Sequence, residues 1–231
     1  MATVKPEPTL ATPADDPEPA ANWPLAGELR LDLTALGVDH LAPDFGERLC
    51  QLSADNPPWQ FEYSAAGELI IMPPPGSESS REEADAIGEL YIWRRLNGGM
   101  SYPSSVGFQL PNGAQRIPDA AWITQERYDN LTPAEHRGTI NGAPDFVVEV
   151  RSRSDRLPPF LAKMREWMEG GATLGWGIDS RQRRAHVYRA GQAEPEILEN
   201  PETLSGEDLL PGFVFEVRRL IFDRITQEEP K

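Results

Sequence analysis

The stretch Pro144-Asp145-Phe146-Val147-Val148-Glu149-Val150-Arg151-Ser152 constrains this chain more than any other. Its valines and Phe146 form a short apolar run, which reads as a buried strand. Glu149 interrupts that run. A carboxylate in a core strand is costly unless something pairs with it or binds it. Upstream, Arg116–Ile123 also reads as a strand and carries a second acid, Asp119, directly after Pro118. Downstream, Lys163 falls on a predicted helix. Two strand acids and a cation point first to metal-dependent cleavage of a phosphodiester.

Composition bounds that idea. The chain has 231 residues, 39% of them apolar, with six tryptophans; this is enough for a real core in one large or two small domains. Cys50 is the only cysteine. That excludes an intrachain disulfide and a cysteine-built zinc site, and it points to a reduced, cytoplasmic setting. No apolar run is long enough to span a bilayer, and the N-terminus lacks the basic-then-apolar order of a secretion signal. The net charge of −15 runs against general nucleic-acid binding, since such domains are usually basic. Residues 1–22 hold −3 and residues 225–231 hold −1, so the body keeps −11. Salt screens such a field beyond roughly 8 Å, so a local arginine patch could still meet a phosphate backbone.

Residues 1–22, rich in proline, alanine and acids, predict a disordered tail. Residues 225–231 read as a C-terminal tail, leaving 23–224 as one domain. A short helix is expected near Asp44–Leu52. Trp59–Tyr63 and Leu69–Met72 form a hairpin around Ala66-Gly67. A helix over Ser79–Leu96 is capped by Ser79 or Ser80 and stopped by Asn97-Gly98-Gly99. Val106–Leu110 and Arg116–Ile123 flank Asn112-Gly113, a strong hairpin signal. Thr132-Pro133-Ala134-Glu135 has the form of a capping box at a helix start. After the central strand comes a helix over Pro158–Glu169, with an apolar face of Phe160, Leu161, Met164, Trp167 and Met168. Leu174–Ile178 and Ala185–Arg189 form another hairpin, and Ile197-Leu198 and Phe213–Phe215 add short strands. This order predicts a mixed α/β fold.

Asp119 and Glu149 suit a hard cation. Mg²⁺ takes oxygen ligands, often one or two carboxylates with substrate phosphate and water. It acidifies a bound water and shields phosphate charge. The backbone carbonyl of Val150 could supply a third ligand. Arg151 follows Glu149 by two and so shares its strand face; it accepts no proton and would act only by electrostatics. Lys163 lies at the edge of the helix's apolar face, from which it could reach the sheet and stabilise charge on a phosphate. Taken singly, Asp119 also reads as a turn aspartate, Glu149 as the partner of an arginine, and Lys163 as a lysine snorkelling to solvent. His40, His136 and His186 lack ligand spacing. The basic tip Arg181, Arg183 and Arg184 reads as a solvated turn or a phosphate contact, and Trp122, Trp167 and Trp176 read as core.

Pro118-Asp119, the run from Pro144 to Asp155, Lys163, Gly170-Gly171-Ala172 and Gly175-Trp176 together resemble the Uma-two endonuclease family of the PD-(D/E)XK superfamily. The resemblance extends from about Leu29 to Phe222, through Asn112-Gly113-Ala114 and the segment Leu204–Gly212. It implies a restriction-endonuclease-like core, a central mixed sheet flanked by helices, here with an extra N-terminal hairpin. It also implies cleavage of nucleic acid, with DNA expected, by Mg²⁺ or Mn²⁺ held on Asp119 and Glu149. Many relatives lack a basic residue two after the glutamate, and the helix lysine matched by Lys163 takes its place. Here both Arg151 and Lys163 are present. Glu78, ahead of the first long helix, matches an auxiliary acid in such nucleases, or is simply a helix-start acid. The rival expectation is a non-catalytic module of the same fold, kept for protein interaction or weak nucleic-acid binding. No membrane partner is expected, and a homodimer is left open.

Overall fold

The computed structural model describes residues 28–39, 42, 44–152 and 155–224. The expected tails at 1–22 and 225–231, together with His40, lie outside the described residues. In chain order the elements are β1 (Leu29–Asp32), α1 (Phe45–Asp55), β2 (Gln60–Tyr63), β3 (Glu68–Met72), α2 (Ser77–Asn97), β4 (Met100–Pro103), β5 (Phe108–Gln109), β6 (Gln115–Arg116) and β7 (Ala120–Ile123). They continue with α3 (Gln125–Asp129), β8 (Ile140–Asn141), β9 (Phe146–Val150), α4 (Leu157–Glu169), β10 (Leu174–Asp179), β11 (Arg184–Arg189), β12 (Glu196–Glu199), β13 (Leu204–Ser205), β14 (Val214–Phe215) and α5 (Val217–Leu220). Among the described residues no helix is long and apolar enough to cross a membrane.

The expected mixed α/β fold is present, with two six-stranded mixed sheets, one of them flanked by helices on both faces. The first runs β1-β3-β2-β6-β5-β8 and the second β12-β11-β10-β9-β7-β4. Each contains a single parallel pair, β5 with β8 and β9 with β10, among antiparallel neighbours. The hairpin expected as an N-terminal addition, β2–β3, is thus built into a full sheet. Strand β9 lies in the interior of the second sheet, every residue buried. Ala86 and Leu90 of α2, together with Phe213, Phe215 and Phe222, cover the face carrying Phe146, Val148 and Val150. Met164 and Trp167 of α4 cover the face carrying Val147, and there they also meet Phe108 and Leu110 from the first sheet. Helix α4 is therefore wedged between the two sheets. Its Met164 and Trp167 are fully buried, each worth about 1.5–3 kcal/mol relative to exposure.

Three local expectations are corrected. The strand expected over Arg116–Ile123 is broken. Its first part, β6, pairs in the first sheet and its second, β7, in the second. Pro118 has no N–H to give a ladder, and the Ile117 N–H goes to the Glu62 carboxylate at 2.8 Å. The long helix starts at Ser77 with Gly76 as its cap and no side-chain capping bond, so neither Ser79 nor Ser80 caps it. The capping box at Thr132 does close, with Thr132 N–H and Oγ1 donating to Glu135 Oε2 at 2.9 and 2.7 Å. Only a 3-10 turn, Glu135–Arg137, follows, because Gly138 comes too soon for an α-helix to propagate.

At the junction of α2 and β4, Gly99 has φ +74°, and a Cβ there would lie 2.3 Å from the Trp122 indole nitrogen. That indole is itself fixed by donating to the Gly98 carbonyl at 3.1 Å. The Gly99→Ala substitution should therefore destabilise the fold by about 1–3 kcal/mol through backbone strain and steric overlap. A urea midpoint equal to that of the wild type would contradict this account.

Candidate active site

The β7–β9 register pairs Ala120 with Val148. One step further along it sets Asp119 opposite Glu149, and opposed residues of an antiparallel pair share a face. That is the face covered by α4. Asp119 is held by its Oδ2, which accepts the Val150 N–H at 2.6 Å.

Glu149 is held from α4. Its Oε1 accepts the Trp167 indole N–H at 2.7 Å. The Lys163 ammonium lies 3.0 Å from Oε1 and donates to Oε2 at 3.1 Å. Lys163 also donates to the Ile117 carbonyl at 2.9 Å and lies 3.1 Å from Glu62 Oε1. Lys163 and Trp167 are four apart on α4, the helical spacing that puts two side chains on one face. The break at Pro118 matters here, since Ile117 offers its carbonyl to Lys163 only because it has left the ladder.

A closed set of alternating charges stands behind the lysine. Arg116 of β6 donates to Glu62 Oε2 at 3.0 Å and to Glu166 Oε2 at 2.6 Å. Glu62 belongs to β2, and Glu166 sits three residues after Lys163 on α4. The set thus ties the first sheet to the helix that carries the lysine.

Arg151 goes elsewhere. Its Nη1 donates to Asp179 at 2.6 Å, and its Nε and Nη2 donate to the Asp155 carbonyl at 3.1 and 3.0 Å. Asp179 is wholly buried, so Arg151 is its counter-charge. Glu78 occupies the first turn of α2. The α2 acid whose charge bears on Asp119 is Glu83, one and a half turns further on; its Oε2 accepts the Ser104 hydroxyl at 3.0 Å. Val150 meets Asp119 through its N–H.

The electrostatics follow from burial. Burial and then the charges of Glu149 and Glu83 push the Asp119 carboxyl well above its ordinary range. Burial raises Glu149 to about 7 against the pull of Lys163, with Glu62 adding to the rise. Glu83 is also raised by burial, against its bond from Ser104. Burial would lower Lys163, but Glu149, Glu62 and Asp119 outweigh it and hold the ammonium above its ordinary value. Glu62, despite burial, is held low by Lys163, Arg116 and the Ile117 N–H. Five acids, Asp119, Glu149, Glu83, Glu62 and Glu166, thus surround two cations.

That surplus of oxygen donors has the chemistry of a hard-cation site, and a carboxylate keeps lone pairs beyond those used by Lys163. Among the described residues no group of three or more His, Cys, Asp and Glu is set to hold a metal ion. The pair Asp119 and Glu149 fits an ion such as Mg²⁺, which keeps several waters and takes only one or two carboxylates.

Sequence reasoning missed Glu62, Arg116, Glu83 and the tie from Trp167. Glu62 sits in the alternation Gln60-Phe61-Glu62-Tyr63, a pattern that fits a strand with one covered face. Its neighbours Phe61 and Tyr63 do point to the α1 cluster, but the opposite face of β2 is covered too. The pattern carries no sign of that second cover.

A family model described as "Putative restriction endonuclease", Uma2, matches residues 42–218. Among solved structures the chain is similar to a "putative nuclease belonging to DUF820" from Anabaena variabilis ATCC 29413, with a TM-score of 0.59 at 20% identity. The match covers 71% of this chain and 90% of that one, and it speaks to the fold. No curated protein matches the chain.

Stability should record the strained acids. Glu149 has a folded value near 7 against an ordinary 4.5. The native state therefore holds more protons than the unfolded one in that window, and stability must fall as pH rises through it. Asp119 is displaced in the same direction. Glu62, displaced downward, acts with opposite sign and at lower pH. Without divalent ions, the melting temperature should decline between about pH 4.5 and pH 7, and Glu149→Gln should flatten that decline. An unchanged slope in the variant would mean that Glu149 is not the group responsible.

Proposed function

The chain belongs to the Uma2 family, and from that premise we propose that it is a divalent-metal-dependent endonuclease acting on DNA. The observation that carries this reading is the convergence of Asp119 and Glu149 on one sheet face with the Lys163 ammonium against Glu149. A divalent ion held by those two carboxylates, with Mg²⁺ or Mn²⁺ as the natural choice, would supply an acidified water and shield the phosphate.

The protein's own groups supply position and charge. Trp167 orients Glu149 through its indole N–H, and the Val150 N–H orients Asp119. Lys163 stays protonated, because three acids hold it above its ordinary value. It therefore cannot take a proton from water. Its role is to offer a fixed positive charge to the oxygens on which charge develops, which costs no reorganisation at the moment of reaction. We assign no catalytic part to Arg151, since its guanidinium neutralises the buried Asp179.

A non-catalytic module is the second reading. It draws on the net charge of −15 and on a buried ion network that needs no substrate to be satisfied. Metal binding separates the two. A saturating excess of Mg²⁺ or Mn²⁺ should raise the melting temperature of the wild type by roughly 5–10 °C through mass action, and Asp119→Ala should abolish that rise. An equal rise in wild type and variant would locate the ion elsewhere, and no rise in the wild type would favour the module.

The two basic residues should part company under mutation. Lys163→Met should slow DNA cleavage by about 10²–10³-fold, as the loss of one preorganised donor typically does. Arg151→Met should instead cost about 3–5 kcal/mol of stability, since it strands the Asp179 charge. Wild-type cleavage rates for Lys163→Met would remove the lysine from the mechanism.

A further inference from the structure

Glu62 is an acid that this reading leaves unused. It is 2% exposed and comes from β2, in the sheet that contributes neither Asp119 nor Glu149. Three donors converge on it. Its Oε1 accepts the Ile117 N–H at 2.8 Å and lies 3.1 Å from the Lys163 ammonium, while its Oε2 takes Arg116 at 3.0 Å. Both oxygens are thus fixed, and the one facing Lys163 is fixed by a backbone group that cannot rotate away.

The consequence concerns what happens to Lys163 when Glu149 is drawn to something else. A lysine held by one carboxylate would lose its place as that carboxylate turned to a cation or a substrate. Lys163 has two, almost equally near: Glu149 at 3.0 Å and Glu62 at 3.1 Å. Its ammonium has three N–H donors, and the Ile117 carbonyl takes one at 2.9 Å. Loss of Glu149 still leaves two contacts, both on parts of the chain that Glu62 itself ties together through the Ile117 N–H.

We propose that Glu62 is a positioning residue, which anchors Lys163 in the site while Glu149 engages a divalent cation. The first sheet is then part of the working site. The charge on Glu62 has a second effect: it neutralises Lys163, so that the lysine does not cancel the attraction of Asp119 and Glu149 for a cation. The catalytic meaning of this anchor rests on the nuclease reading; the anchor itself does not.

The test observes the Lys163 ammonium directly in the full chain, by ¹⁵N NMR of lysine side chains, with Lys163→Arg assigning the signal. A lysine ammonium gives a sharp signal only when its protons exchange slowly, as in a buried, fully bonded pair. The wild type should show it without metal and keep it in saturating Mg²⁺. Glu62→Gln preserves size and can still accept the Ile117 N–H. It should exchange its Lys163 protons at least tenfold faster and lose the signal once Mg²⁺ is added, while Glu62→Asp should recover it in part. A purely structural role for Glu62 would lower the melting temperature and leave the signal unchanged at temperatures well below melting.

Persistence of the signal in Glu62→Gln with Mg²⁺, or its loss in the wild type on adding Mg²⁺, overturns the anchor. If Glu62→Gln fails to fold, the wild-type arm still decides. A wild type that neither binds Mg²⁺ nor cuts DNA sinks the nuclease reading instead, and the metal-free exchange rate in Glu62→Gln then decides the anchor alone.

Discussion

The Lys163 ammonium against the buried Glu149 is the contact on which the rest of this structure depends. A carboxylate in the middle of an interior strand would destabilise the fold if left alone. Relief comes from α4, which brings a lysine and an indole N–H to the same carboxylate. That demand sets the rotation of α4 about its axis. The apolar residues Met164 and Trp167 must face the sheet, and Lys163 must do so as well. The turn of helix from 163 to 167 satisfies both at once.

Buried ion pairs add little net stability, because desolvation offsets attraction, yet breaking one is expensive. The network around Lys163 therefore acts as a selector of geometry. Glu62 and Arg116 come from the first sheet, Glu149 from the second, and Lys163 and Glu166 from the helix between them. A slip of either sheet relative to α4 would strand a charge away from water. The break at Pro118 belongs to the same arrangement. It ends one sheet, begins the other, and turns the N–H and carbonyl of Ile117 toward Glu62 and Lys163.

The acids outnumber the cations locally, as they do across the whole chain. Locally, crowding and desolvation raise Asp119, Glu149 and Glu83 above the ordinary carboxylate range. At the surface, too, acids neutralise arginines. Arg183 and Arg184 of the hairpin tip are paired to Asp223 and Glu199. Arg151, two residues after Glu149, is likewise paired, to the buried Asp179.

Much was legible in the sequence because local chemistry is enough to write it. The apolar run of β9, the helical face of α4 and the Asn112-Gly113 turn depend on neighbours in the chain, and all three are present in the structure. The strand and helix patterns singled out Asp119, Glu149 and Lys163, and the resemblance matched the same three. The division into two sheets was not legible, because a break at one proline looks the same whether the strand resumes in its own sheet or in another. Nor was the partner of Arg151: strand periodicity gives the face of a side chain, while the nearest buried charge on that face lies on β10. The sequence by itself determined the strongly patterned segments, β9 and α4 above all, and placed Glu149 and Lys163 on them. Only the tertiary structure decided which charges meet. Pairing in a dry interior depends on distances of about 3 Å between residues 14 to 101 positions apart, and no local pattern encodes that separation.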